Sequence, residues 1–282
     1  EHFVLIAEAL NELGLWCPED KFFYDVLTRP GAEPLLMRIQ SVVGLSSLFA
    51  VSIIDKKTTQ LLPDFTRRIN WFEKYRKRNG KYWPNEEKAE DEKILVSLIA
   101  KERLVALIER MINEAEFLSE GGIRALSKYH KKHPYSVNID GNNYSIQYDP
   151  GDSTSDFFGG NSNWRGPVWL PINFLLIQSV KKYGEFYGDS LQMEYPKGSG
   201  VQMNLKQIAA ELSKRVISLF ELDEKKHRKL HAEYNWFYSK PENQQLILFY
   251  EYFHGDTGRG LGANHQTGWT ALVAELMSEL VA

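Results

Sequence analysis

Glu251 stands in FYEYFHGD, a carboxylate set into an aromatic, strand-like run just ahead of the glycine-rich turn GDTGRGLG. Burying an unpaired charge is costly, so this Glu needs a polar cavity or a partner such as an Arg. Asp149, Asp152 and Asp156 crowd the loop ahead of Gly159–Asn173, GGNSNWRGPVWLPIN. In that stretch Asn163, Trp164, Arg165 and Trp169 lie among glycines. Gly166 lets the backbone come close to whatever sits opposite, and Pro167 opens an apolar run that reads as a helix. Trp faces stack on the apolar C–H face of a pyranose, while Arg, Asn and Asp meet its hydroxyls. Cleaving a glycosidic bond needs two carboxyls, one as acid for the leaving oxygen and one as base or nucleophile. Residue chemistry alone leaves blander readings open. Glu251 also fits a salt-bridged structural acid, the aromatic loop a core plug, and the three Asp are read first as ordinary turn caps.

Other chemistries fit less well. GDTGRGLG lacks the Lys-Ser/Thr pair of a phosphate-binding loop and the strand-to-helix fingerprint of a dinucleotide site, so a tight turn shaping a pocket wall is preferred. His130 and His133 sit in a lysine-rich loop with no acidic partner nearby, and the single Cys17 gives neither a disulfide framework nor a thiol cluster. No metal or cofactor is expected. GLSS and GGNSN do not supply a nucleophile elbow. A net charge of −3 with acids and bases interspersed carries no nucleic-acid or membrane-surface footprint. No apolar run approaches the ~18 residues of a membrane span, and a cytoplasmic setting is expected. The oligomeric state is not legible.

The elements that must position these groups are mostly helices. Hydrophobic content of 43% supports a sizeable core, and aromatics at 13% are rich enough that many must be carried on loops. The chain opens at once on an amphipathic stripe, Phe3 to Leu13, with Gly14 as its stop. It has no capping residue before it and no initiator Met, which reads as a chain cut from something longer. LWCPEDKFFYDVL predicts a hairpin returning through LLMRI. Val42–Ile54 predicts a buried helix. Pro63–Asn79 predicts a helix with Phe65, Ile69, Phe72 and Tyr75 on one face and a solvated basic face opposite. The charged stretch NEEKAEDEK leads into a helical region, ILVSLIAKERLVALIERMINEAEFL. Residues 119–165 hold no convincing helix apart from a hairpin at Asp140-Gly141. Further helices are expected at Pro167–Tyr183, Leu205–Glu221 and HQTGWTALVAELMSEL. About six or seven helices, short hairpins and no βαβ alternation make a mainly α fold with its chemistry in the loops.

Several of these motifs are shared with a family. NWRGPVWLPINFLL resembles the W-R-G-P-V-W-x-x-x-N-[YF]-L stretch of glycoside hydrolase family 63, which includes the processing α-glucosidase I and the mannosylglycerate hydrolases. EGGIRALSKYH (120–130), PGDSTSDFFGGNSNWRG (150–166) and YEYFHGDTGRGLGANHQTGWTALV (250–273) resemble it in the same order, and LGLWCPEDKFFYDVL adds a weaker match. The resemblance implies an (α/α)6 barrel with a sugar pocket at one end and inverting hydrolysis of α-glycosidic bonds in an oligosaccharide or small glycoside. It puts the general base at Glu251 and the pocket lining at Trp164, Arg165 and Trp169, with Asn163, Trp269 and Arg124 as further contacts. The family's general acid lies in an upstream Asp-Asn motif that this chain lacks, and its helices are fewer than the barrel's two rings need. Residues 1–282 are therefore expected to be one domain, the C-terminal portion of a larger catalytic domain carrying the base without the acid. Two rivals stay open: a non-catalytic carbohydrate-binding module, and a sugar phosphorylase on the same architecture.

Overall fold

The computed structural model describes residues 1–80, 93–152, 154 and 166–281, together with the strand backbone of Glu86–Lys88. Its centre is the apolar helix Leu170–Tyr187, which buries Leu176, Ile177, Val180, Tyr183 and Tyr187. Against it lies Leu205–Ile217, whose buried Leu205, Ile208, Ala209, Leu212 and Val216 recur at the three- and four-residue spacing of one helical face. Each such Leu, Ile or Val side chain taken fully out of water stabilises the fold by roughly 1.5–3 kcal/mol. The second helix starts on a reciprocal cap: Asn204 accepts from the Gln207 N–H, and Gln207 accepts from the Asn204 N–H. The helix Leu272–Val281 completes this layer by burying Val273 and Leu276, and Gln178 donates to the Glu279 carboxylate at 2.9 Å.

The remaining long helices are His2–Glu12, Pro63–Arg78 and Lys101–Met111. The first stops as expected, with Gly14 in the left-handed region at φ +69°. Among the described residues the strands are short, antiparallel and mostly paired as hairpins. Both expected hairpins form. Asp25–Arg29 pairs with Ala32–Met37, and ahead of it Trp16–Cys17 adds an unexpected pairing with Phe22–Phe23. Tyr135–Ile139 pairs with Asn142–Ile146 across Asp140-Gly141, both at positive φ. The chain is mainly helical, as its periodicity indicates.

Four expectations are corrected. Val42–Ile54 is not one helix. A single turn, Val42–Leu45, capped by Ser41, passes through a 3-10 turn into the strand Val51–Ile54. Val51, Ile53 and Ile54 favour a pleated, half-buried surface, and the strand finds one by pairing with Ile94–Ser97. That pairing also takes the first residues of the stretch expected to run as one helix from Ile94, so helix begins only at Lys101. Pro63–Arg78 is a helix, but it buries Phe72 and Arg76 and leaves Phe65 and Tyr75 exposed. Finally, Pro167 lies in an extended segment. The following helix starts at Leu170, with Pro171 in its first turn where no N–H is needed.

Candidate active site

Three segments far apart in sequence meet here. Val168 exchanges both backbone hydrogen bonds with Phe253, at 2.7 and 2.9 Å, and pairs on its other side with Arg124. The Ala125 N–H donates to the Pro167 carbonyl at 2.9 Å. The extended run that replaces the expected start of the helix is thus the middle member joining the 122–126 and 250–255 segments. Gly166 makes the crossing possible. At φ +128° it has no room for a side chain, since a Cβ would lie 2.2 Å from the Asp149 carbonyl oxygen. The close approach expected of this glycine is to backbone.

Glu251 is half-buried on the strand edge of a hairpin in which Tyr252–Phe253 pairs with Gly260–Leu261. Its backbone N–H donates to the Ala263 carbonyl at 2.7 Å, and the Ala263 N–H donates to its carboxylate Oε2 at 3.1 Å. Gly262, at φ +69°, leaves the space that the carboxylate uses: a Cβ there would stand 2.6 Å from Oε2. Among the described residues no hydrogen bond reaches Oε1, so that oxygen has an acceptor site to offer. The carbonyls on this strand are clamped from the C-terminal segment. Trp269 Nε1–H donates to the Glu251 carbonyl at 3.1 Å, and Thr270 Oγ1–H to the Tyr250 carbonyl at 2.6 Å.

Under the hairpin, Trp169 is buried, stacked on Tyr252 at 4.7 Å and edge-on to Trp269 at 5.8 Å. It supports the strand of Glu251. The Tyr252 hydroxyl donates to Asp152 Oδ1 at 2.7 Å. Burial pushes that phenol's pKa up, and the hydrogen bond to Asp152 with the charges of Asp152 and Glu251 adds to the shift. Asp149, as its turn-cap reading has it, accepts from both the N–H and the hydroxyl of Thr154. Asp156 and three site candidates, Asn163, Trp164 and Arg165, lie outside the described residues.

Arg124 is buried and committed to protein. Its Nε donates to the Tyr148 hydroxyl and the Gly255 carbonyl, one terminal nitrogen to the Leu118 carbonyl, and the other to Asp256 at 3.2 Å. Asp256 also accepts from Tyr148 and Lys128. Its burial alone would raise the pKa of its carboxyl, yet the hydrogen bonds from Tyr148 and Lys128 and the charges of Arg124 and Lys128 hold it below the usual carboxylate range. Beside it, His254 Nδ1 accepts from the N–H groups of Asp256 and Thr257, and burial lowers its pKa. Arg124 thus locks the glycine turn that follows Glu251. Two residues missed in the sequence complete the frame. Thr270 is one. The other is Asn173, fully buried, whose amide bonds both the N–H and the carbonyl of Ile123. A polar side chain inside the apolar run LPINFLL is the signal for it, because a buried amide must find partners.

A cavity of about 450 Å³ opens along the Gly260–Gly262 edge, lined among others by Asp152, Tyr234, Tyr238, Tyr250, Arg259 and Asn264. Among the described residues no cluster of His, Cys, Asp or Glu could hold a metal ion, and no helix is long and apolar enough to cross a membrane.

The family model for the mannosylglycerate hydrolase MGH1-like glycoside hydrolase domain matches residues 94–270, a span that holds Arg124, Gly166, Trp169, Glu251, Trp269 and Thr270 together. The chain is 40% identical to the protein YMR196W of Saccharomyces cerevisiae over 99% of its own length. It is 28% identical to a probable mannosyl-oligosaccharide glucosidase of Schizosaccharomyces pombe over 63% of its length. It is 32% identical to the mannosyl-oligosaccharide glucosidase of Saccharomyces cerevisiae over 43%. These matches cover 28%, 15% and 12% of the relatives' own lengths, so the chain corresponds to under a third of each. The chain belongs to glycoside hydrolase family 63, with an MGH1-like hydrolase domain over most of its length.

Proposed function

We propose that this chain carries the general base and much of the sugar pocket of an inverting α-glycoside hydrolase acting on an α-linked glucosyl or mannosyl compound. The observation behind this is the setting of Glu251. One carboxylate oxygen is fixed by the Ala263 N–H, the other has no partner among the described residues, and the strand beneath is clamped by Trp269 and Thr270. A carboxylate held this way takes a proton from water as the oxygen attacks the anomeric carbon on the face opposite the leaving group. The general acid, which protonates the leaving oxygen, comes in this reading from a carboxyl outside these residues, in the family's Asp-Asn motif. It would stand about 6.5–9.5 Å from Glu251 to admit the water. The helices of this chain are then one portion of a larger (α/α)6 catalytic domain. Asn163, Trp164, Arg165 and Trp269 are assigned to the sugar, while Arg124 and Trp169 position the strands that bear the site.

The test is anomer-resolved NMR of the first products from α-glucosides and α-mannosides, with and without phosphate. Initial release of the β-anomer, independent of phosphate, is expected. Initial release of the α-anomer overturns inversion, and a requirement for phosphate makes the enzyme a phosphorylase. The second reading, a sugar-binding module without catalysis, predicts binding of the same glycosides and no product.

A further inference from the structure

Asp149 and Asp152 open the same loop and share one reading in the sequence, yet only Asp149 behaves as a turn cap. Asp149 takes the N–H and the hydroxyl of Thr154 on Oδ2 and the Gln147 amide on Oδ1 at 3.4 Å. Asp152 is exposed, and among the described residues its one hydrogen bond comes from the Tyr252 hydroxyl, to Oδ1. Among the same residues none reaches Oδ2. An ionised carboxylate offers about four acceptor sites, so most of the capacity of this one is open.

The backbone that carries Asp152 is pinned. The Gly255 N–H donates to the Pro150 carbonyl at 2.6 Å. Gly151 lies so close to the glycine turn that a Cβ on it would stand 3.1 Å from the His254 ring. A carboxylate on so fixed a backbone loses little freedom when a ligand binds it.

Two contacts place Asp152 relative to Glu251. At Gly262 a Cβ would stand 2.6 Å from Glu251 Oε2 and 2.7 Å from Cε1 of the Tyr252 ring. The hydroxyl on the next ring carbon is the one that donates to Asp152, at 2.7 Å. One phenol edge therefore separates the two carboxylates, and Gly262 and Asp152 line the same cavity. A single sugar ring seated on that edge reaches both. A hydroxyl donating to a carboxylate makes a charge-assisted bond, roughly twice as strong as a neutral one.

We propose that Asp152 is a specificity-determining residue, whose Oδ2 accepts from one hydroxyl of the sugar unit attacked beside Glu251. This rests on the glycosidase reading above, in which Asn163, Trp164 and Arg165 of the same loop also meet the sugar. In the protein that carries this chain, calorimetric Kd is measured with Glu251→Gln, which holds substrate unhydrolysed, and again with Asp152→Asn added. The probes are α-linked glucosyl and mannosyl disaccharides and their analogues lacking the 2-, 3-, 4- or 6-hydroxyl of the non-reducing unit. Asn still accepts from Tyr252 but can present an amide in place of Oδ2. Asp152→Asn should weaken binding of the parent disaccharide by roughly 10–100-fold. One deoxy analogue should bind about that much more weakly from the start and lose almost nothing further in Asp152→Asn. An unchanged parent Kd overturns the proposal. So do equal losses for every analogue, the result expected if Asp152 only pairs with Arg165 on its own loop. A loss selective for one hydroxyl, with no turnover by the wild type, keeps Asp152 as a sugar contact and sinks the hydrolase. Turnover with equal or absent losses does the reverse, and binding of no disaccharide overturns both.

Discussion

Two of the buried arginines, Arg76 and Arg124, do different work. Arg76 lies on the Pro63–Arg78 helix, over the ring of Phe72, and pairs at 3.2 Å with Glu8 of the His2–Glu12 helix. It joins two regular elements through a carboxylate. Arg124 follows the two-residue strand Gly122–Ile123 and spreads its nitrogens over Tyr148, Gly255, Leu118 and Asp256, three of which belong to irregular backbone. The elements Arg76 joins are two helices that already bond their own backbone groups. Around Arg124 the Gly255 carbonyl, the Tyr148 hydroxyl and Asp256 lie on irregular backbone, so the guanidinium itself holds those loops in register.

The comparison is breakable. Arg124→Met should cost about 3–5 kcal/mol in denaturant unfolding, because it strands buried acceptors and removes the buried partner of Asp256. Adding Asp256→Leu should not restore the loss, since the carbonyls stay unpaired. Full recovery in that double variant would mean that the ion pair alone matters. Replacing Glu8 and Arg76 together by Leu and Met should be neutral or stabilise by up to about 1–4 kcal/mol in the same measurement. A loss as large as that of Arg124→Met would erase the distinction between the two arginines.

The same contrast explains what is legible in the sequence. Where a helix buries one continuous stripe, as at Leu205–Ile217, the spacing of Ile208, Leu212 and Val216 is enough to mark it. The hairpin at Asp140-Gly141 is legible because its turn needs residues that tolerate positive φ. Val42–Ile54 is not, because an unbroken apolar run has no period and only the partner strand at Ile94–Ser97 decides it. The motif residues are legible as a group, but their division of labour is not. Trp169 and Arg124 look like sugar contacts by type, whereas the structure sets them beneath and behind the strand of Glu251. Tyr252 and Trp269 against Trp169, and Gly255 and Asp256 against Arg124, come from more than 80 residues away, and no local pattern records that.

The central claim is that Glu251 activates the attacking water. It is tested most directly by Glu251→Gln in the protein that carries this chain, with kcat and substrate Kd measured together. An amide keeps the shape and the bond from the Ala263 N–H yet cannot take a proton. Turnover should fall by about 10²–10⁴-fold with Kd nearly unchanged. A kcat near that of the wild type would contradict the assignment.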